Sequence, residues 1–129
     1  MDQIVEVTRT AALDAPIGEV WQALTDSDAL SRWLADEVEL DVRPGGIGRL
    51  HLPDGDKSVL VTAVDEPRRL SLIWWADDGE TSTVEMTLTE QCGGTELRVI
   101  ERTSAPVAQA CTFPWGQAVA RLAVLRCGV

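Results

Sequence analysis

A chain of 129 residues has room for one domain with a hydrophobic core and is too short for two. Its 21 acidic and 11 basic side chains give a formal net charge of -10, which disfavours contact with phosphate backbones and anionic membranes, so neither nucleic acid nor a membrane is an expected partner. The first residues carry neither the basic start nor the continuous apolar run of a signal peptide, so we expect a cytoplasmic protein.

The N-terminal part of the chain predicts one strand followed by two short helices. Residues 4–13 are rich in Val and Thr and alternate as a half-buried strand does. Residues 16–25 place apolar side chains at helical spacing behind a proline, which suits the first turn of a helix. Asp26 or Ser27 can cap a second short helix, which carries Trp33.

Turn residues then recur at short, regular intervals, which is typical of a meander of antiparallel strands. Gly-, Pro- and Asp-rich turns separate the six strands that we predict here: residues 38–42, 47–52, 59–64, 70–75, 83–89 and 95–102. With the first strand, the sheet has seven strands. The fold class is therefore α+β, with all strand pairs antiparallel.

The last apolar stretch predicts a long C-terminal helix over residues 114–126, in which Trp115 and Leu122 recur at helical spacing. A seven-stranded sheet is wider than one helix, so we expect the sheet to curl around it while the two short helices close the open end. An arrangement of this kind tends to leave a cavity between sheet and helix, where a small ligand can bind.

The sequence contains few side chains suited to catalysis or metal binding. The three cysteines are an odd number without the spacing of a metal site, and His51 has no neighbouring set of ligands, so we expect no metal and no cofactor. His51 should point away from its leucine neighbours into solvent. No arrangement of nucleophile and base stands out, so we expect no catalytic residues.

Several short motifs stand in a regular order along almost the whole chain. They are Asp14-Ala15-Pro16 with Val20-Trp21, then Arg32-Trp33, Pro44-Gly45-Gly46, Glu66-Pro67-Arg68-Arg69-Leu70 with Trp74, and Trp115-Gly116 with Leu122. This pattern resembles START-like (SRPBCC, helix-grip) domains, and among them the group of activator of heat-shock protein 90 ATPase homologues. The resemblance implies a single helix-grip domain over residues 1–129. It also implies a function drawn from lipid and hormone binding, polyketide cyclisation or assistance to a chaperone.

Tryptophans are the most informative side chains for a site, although most buried tryptophans only pack. Several rigid indoles around an incompletely filled space favour flat apolar ligands. We predict that such a cavity is lined by Trp33, Leu50, Trp74, Met86 and Trp115.

Two charged residues, Arg9 and Glu101, interrupt the apolar faces of their strands. The family's sheet makes the first and last strands neighbours. The two side chains therefore either pair inside the cavity and orient a polar group of the ligand, or one of them turns into solvent at a bulge or strand end.

The favoured function is intracellular binding of a small hydrophobic or aromatic molecule. The alternatives are a polyketide cyclase/dehydratase-like enzyme that acts mainly by positioning, and a module that interacts with a chaperone. The sequence leaves open whether the protein also forms a homodimer.

Overall fold

One antiparallel sheet of seven strands organises the protein, in the order β1-β7-β6-β5-β4-β3-β2. The computed structural model describes residues 4–35, 37–52, 55–76, 81–104, 118 and 120–122. The strands are β1 (Ile4–Leu13), β2 (Glu37–Leu40), β3 (Ile47–Leu52), β4 (Gly55–Asp65), β5 (Arg69–Ala76), β6 (Thr81–Gln91) and β7 (Gly94–Ser104). All seven predicted strands are present. The predicted curled sheet is therefore confirmed, with β1 and β2 at its two edges.

Alternation along the strands gives the sheet a buried inner face. In β5, Leu70, Leu72 and Trp74 are buried, whereas the residues between them are half-buried. β6 and β7 repeat this pattern, and their buried inward residues are Ser82, Val84, Met86, Leu88, Thr95, Leu97, Val99 and Glu101. This period of two is what a strand requires when one of its faces covers a core.

Two short helices connect the edge strands β1 and β2. They are α1 (Ile17–Thr25) and α2 (Ser27–Trp33). The chain separates them at Asp26, whose side chain caps α2 by accepting a hydrogen bond from the backbone N–H of Ala29 at 3.2 Å. α1 contacts β6 and β7, and α2 contacts β2, so the pair covers part of the inner face.

The side chain of Trp33 in α2 forms a hydrogen bond to α1. It is completely buried, and its indole Nε1–H donates to the carbonyl oxygen of Ala23 at 2.9 Å. Ala23 lies in the last turn of α1, where carbonyl groups lack a partner within the helix. The tryptophan therefore satisfies a backbone group that would otherwise be buried without a hydrogen bond.

The predicted turn at residues 44–46 joins β2 to β3 and depends on glycine. Gly45 has a φ of 84°, a left-handed conformation that glycine adopts at little cost. A Cβ atom on Gly46 would overlap the carbonyl oxygen of Asp41, and one on Gly48 would overlap that of Glu39. The backbone segments of this hairpin therefore approach too closely to leave room for a side chain at Gly46 or Gly48.

The described C-terminal residues, 118 and 120–122, are helical. Ala118 and Leu122 are buried and belong to the same hydrophobic core as the inner face of the sheet, whereas Arg121 is exposed. The rest of the predicted helix over residues 114–126 lies outside the described residues, and so does Trp115. The full length of that helix stays a prediction.

Candidate functional site

A small void lies between the inner face of the sheet and the two helices. Its lining is entirely apolar and comes from both layers: Leu24, Leu30, Leu34, Leu40, Leu50, Val59, Leu72, Trp74 and Met86. The void measures about 10 Å³, which is room for about one water molecule. No polar atom of this lining offers a water the two to four hydrogen bonds it needs, so the space suits hydrocarbon better than water.

Three of the predicted lining residues are brought together at this void. Leu50, Trp74 and Met86 come from β3, β5 and β6, and each is 1% exposed. Trp33 is buried in the same core, but it does not line the void. Its indole instead donates a hydrogen bond to Ala23 of α1. The fifth predicted residue, Trp115, lies outside the described residues.

Glu101 places a carboxylate inside this apolar face. Glu101 is 4% exposed, and its Oε2 accepts a hydrogen bond from the indole Nε1–H of Trp74 at 3.1 Å. A buried charge is costly unless hydrogen bonds compensate it. The indole supplies one of them, and both Glu101 and Trp74 make further interactions. Trp74 therefore both lines the void and donates its polar N–H to Glu101.

Arg9 does not form the predicted interior pair with Glu101. It lies opposite Val99 in the register of β1 and β7, which places it on the inward side of the sheet, yet its side chain is exposed. Its guanidinium donates instead to the carbonyl oxygen of Thr8 at 2.9 Å. Of the two alternatives, solvent exposure is therefore the one observed. The reason is the edge position of β1 rather than a bulge, since a long side chain there reaches water beside the sheet.

Lys57 is the inward-facing cation that sequence reasoning missed. β4 begins at Gly55 rather than at residue 59, so Lys57 belongs to the strand and shares the face of the buried Val59 and Val61. Its Nζ lies 5.9 Å from the ring centroid of Trp74, within the range of a cation–π contact. Extending the alternation of Val59 and Val61 back by two residues would have found it.

The outer face carries His51, which the sequence predicted to point away from its leucine neighbours, together with Trp75 and Ile47. Trp75 points away from Trp74 and is half-buried, as the alternation of β5 requires. His51 also faces outward, and its Nδ1 lies 3.1 Å from Oδ1 of Asp56. Ile47, at 71% exposure, is the exposed large hydrophobic residue of the described part.

A metal site and a membrane-spanning helix are both absent from the described part of the chain. Within it, no three His, Cys, Asp or Glu side chains cluster as metal ligands would. None of its helices is long and apolar enough to cross a bilayer.

Comparison with known proteins gives one family match. Residues 14–125 match the profile of the family described as activator of Hsp90 ATPase homolog 1-like protein. None of the curated proteins matches the sequence significantly.

Solved structures of similar fold extend this result. CalU16 from Micromonospora echinospora is 26% identical with a TM-score of 0.77, and the match covers 98% of this chain and 87% of that one. DynU16, a protein in the dynemicin biosynthetic locus, is 28% identical with a TM-score of 0.79 over 92% of this chain, which spans only 46% of DynU16. MLL2253 from Mesorhizobium loti has a TM-score of 0.86 over 97% of this chain and all of its own, but at 22% identity it supports the fold alone.

Proposed function

The chain belongs to the activator of Hsp90 ATPase homolog 1-like family, and on this premise we propose that it binds a small, flat, hydrophobic molecule on the inner face of its sheet. The observation that carries the proposal is the apolar void beside Trp74. An indole wall offers a flat surface on which an aromatic ring can stack. The similarity to DynU16, which belongs to a biosynthetic locus, supports a small molecule as the partner.

Binding requires the lining to open. Pockets for small molecules measure about 300–1,000 Å³, whereas the void holds about 10 Å³. Met86 is the lining side chain best suited to give way, because its unbranched thioether changes rotamer more readily than a leucine does. The leucines of α1 and α2 form the opposite wall, so a small shift of these short helices enlarges the same space.

Naphthol titrations followed by indole fluorescence test the proposal. Naphthol is flat and largely apolar, and Trp74 in the wall should report its arrival as a saturable change in emission. The Met86→Ala variant enlarges the void and should change the affinity for naphthol by at least about fivefold, since removing one buried side chain of this size leaves a cavity that an apolar ligand can fill.

Leu88→Ala is the matched control. Leu88 lies two residues further along β6, faces the same side and is equally buried, but it does not line the void. Both variants should lose about 2–5 kcal/mol of stability, and only Met86→Ala should alter binding. The proposal fails if naphthol and a set of other flat apolar compounds produce no saturable change in the unmodified protein. It also fails if the two variants shift the affinity equally.

A further inference from the structure

We propose that Lys57 binds an anionic head group of the ligand, so that the molecule taken up is a flat hydrophobic acid, such as an aromatic carboxylate, rather than a neutral hydrocarbon. This inference rests on the proposed function, because it assigns the chemical class of the molecule bound at the same inner face.

The position of Lys57 supports this role. It lies opposite Leu50 in the register of β3 and β4, and its ammonium stands over the ring of Trp74. Both of these neighbours line the void. An aromatic ring stacked beside Trp74 would therefore have a cation within reach of one of its ends.

The distribution of charge sets Lys57 apart. It is the only lysine of a chain whose net charge is -10. Two arginines on the outer face have acidic partners: Arg69 pairs with Glu85 at 3.3 Å and Arg102 with Glu6 at 2.8 Å. Among the described residues Lys57 forms no ion pair, and its ammonium contacts the indole of Trp74.

A partly desolvated ammonium gains most from an anion. Lys57 is half-buried, so it has lost part of its hydration shell, and the indole face replaces only part of what was lost. A carboxylate placed there would form a charge-assisted hydrogen bond, which is about twice as strong as a neutral one. A neutral apolar ligand would cover the ammonium without compensating it.

Glu101 does not oppose this arrangement. It lies on β7, three strands from β4 in the sheet order. At about 4.8 Å per strand, the two backbones are about 14 Å apart along the sheet. The indole of Trp74 reaches from β5 towards Glu101, while its ring faces Lys57. Glu101 therefore meets the N–H edge of the indole and Lys57 its face, so a ligand acid is favoured on the Lys57 side.

Three ligands with one ring system and different head groups test the inference. Naphthoate is anionic, naphthol neutral and naphthylmethylamine cationic at neutral pH. We expect the unmodified protein to bind naphthoate about tenfold more tightly than naphthol, a difference of about 1.4 kcal/mol, and to bind the amine most weakly. Added salt should weaken the binding of naphthoate more than the binding of naphthol.

Lys57→Met removes the charge and keeps most of the apolar stem. It should abolish the preference for naphthoate while leaving naphthol within about twofold, and Lys57→Arg should restore the preference. Arg98→Met is the matched control: Arg98 is exposed on the outer face of β7, and its loss changes the net charge by the same amount. Circular dichroism checks that each variant is folded.

The outcomes separate the inference from the proposed function. If none of the three compounds binds, the proposed function itself fails. If naphthol and naphthoate bind equally well before and after Lys57→Met, the site exists and the inference is wrong, because Lys57 then only extends its head into water. An equal loss of naphthoate affinity in Arg98→Met and Lys57→Met would also overturn it, since net charge would explain the effect.

Discussion

The hydrogen bond between Trp74 and Glu101 can be measured with a double-mutant cycle. Trp74→Phe keeps an aromatic ring and removes the N–H that donates to the carboxylate at 3.1 Å. Glu101→Leu removes the acceptor and keeps a side chain of similar size. Glu101 makes other interactions as well, but they are lost equally with either residue at position 74. The cycle therefore isolates the bond to the indole.

The expected magnitudes follow from burial. Loss of a hydrogen bond to a charged group costs about 1.5–3 kcal/mol, and the smaller ring leaves about 40 Å³ unfilled, which at about 24 cal/mol per Å³ adds about 1 kcal/mol. Trp74→Phe should therefore lower the free energy of unfolding by about 2.5–4 kcal/mol. The double variant should lose about 1.5–3 kcal/mol less than the sum of the single variants.

Urea unfolding followed by far-ultraviolet circular dichroism is the suitable assay, because it does not depend on the tryptophan that is removed. A control cycle pairs Glu101→Leu with Trp33→Phe, whose indole bonds to Ala23 instead. The control should be additive within about 0.5 kcal/mol. If the Trp74 cycle is equally additive, the bond contributes nothing to stability and Trp74 is only a packing residue.

Four substitutions test the packing and the face assignments, and urea unfolding measures each of them. Trp33→Phe should cost about 2–4 kcal/mol, because it leaves the buried carbonyl of Ala23 without its donor and a smaller ring in its place; a loss below about 1 kcal/mol would contradict this. Gly48→Ala should cost about 1–3 kcal/mol, because its Cβ meets the backbone of β2. Gly18→Ala in α1, where a Cβ meets nothing within 4 Å, should instead gain about 0.4–1 kcal/mol; equal losses at the two glycines would refute the close approach. Arg9→Met should change stability by less than about 0.5 kcal/mol, as expected of an exposed side chain, and a loss above about 1 kcal/mol would place Arg9 in the interior after all.

Local chemistry was enough to predict most of the fold. Turn residues marked the strand boundaries, and alternation assigned Trp74 and Met86 to the buried face, because both signals arise within a few neighbouring residues. Asp26 was one of two candidate caps for α2, and the structure selects it. The choice between caps depends on backbone geometry that the sequence does not contain.

The site was predicted less completely, for two physical reasons. The predicted strand begins at residue 59, behind the turn formers of residues 53–56, and so omits Lys57, whereas β4 in fact begins at Gly55. Arg9 obeys alternation and shares the inward side with Val99, but alternation does not reveal how far a side chain lies from the rim of a sheet. The position of a strand within the sheet, at the edge or in the centre, decides whether an inward charge must find a partner.

Trp74 shows how one face would both hold the core together and accept the ligand that we propose. Its N–H donates to Glu101, Lys57 lies over its ring, and its side chain lines the void. The bond to Glu101 orients the indole without using the ring face, which is the surface that a flat molecule requires. The hydrogen bond to Glu101 thus limits the rotation of the indole, while the other side chains that bound the void are apolar and can rearrange without breaking a side-chain hydrogen bond. We therefore expect that opening the void costs packing contacts and leaves the hydrogen bond between Trp74 and Glu101 intact.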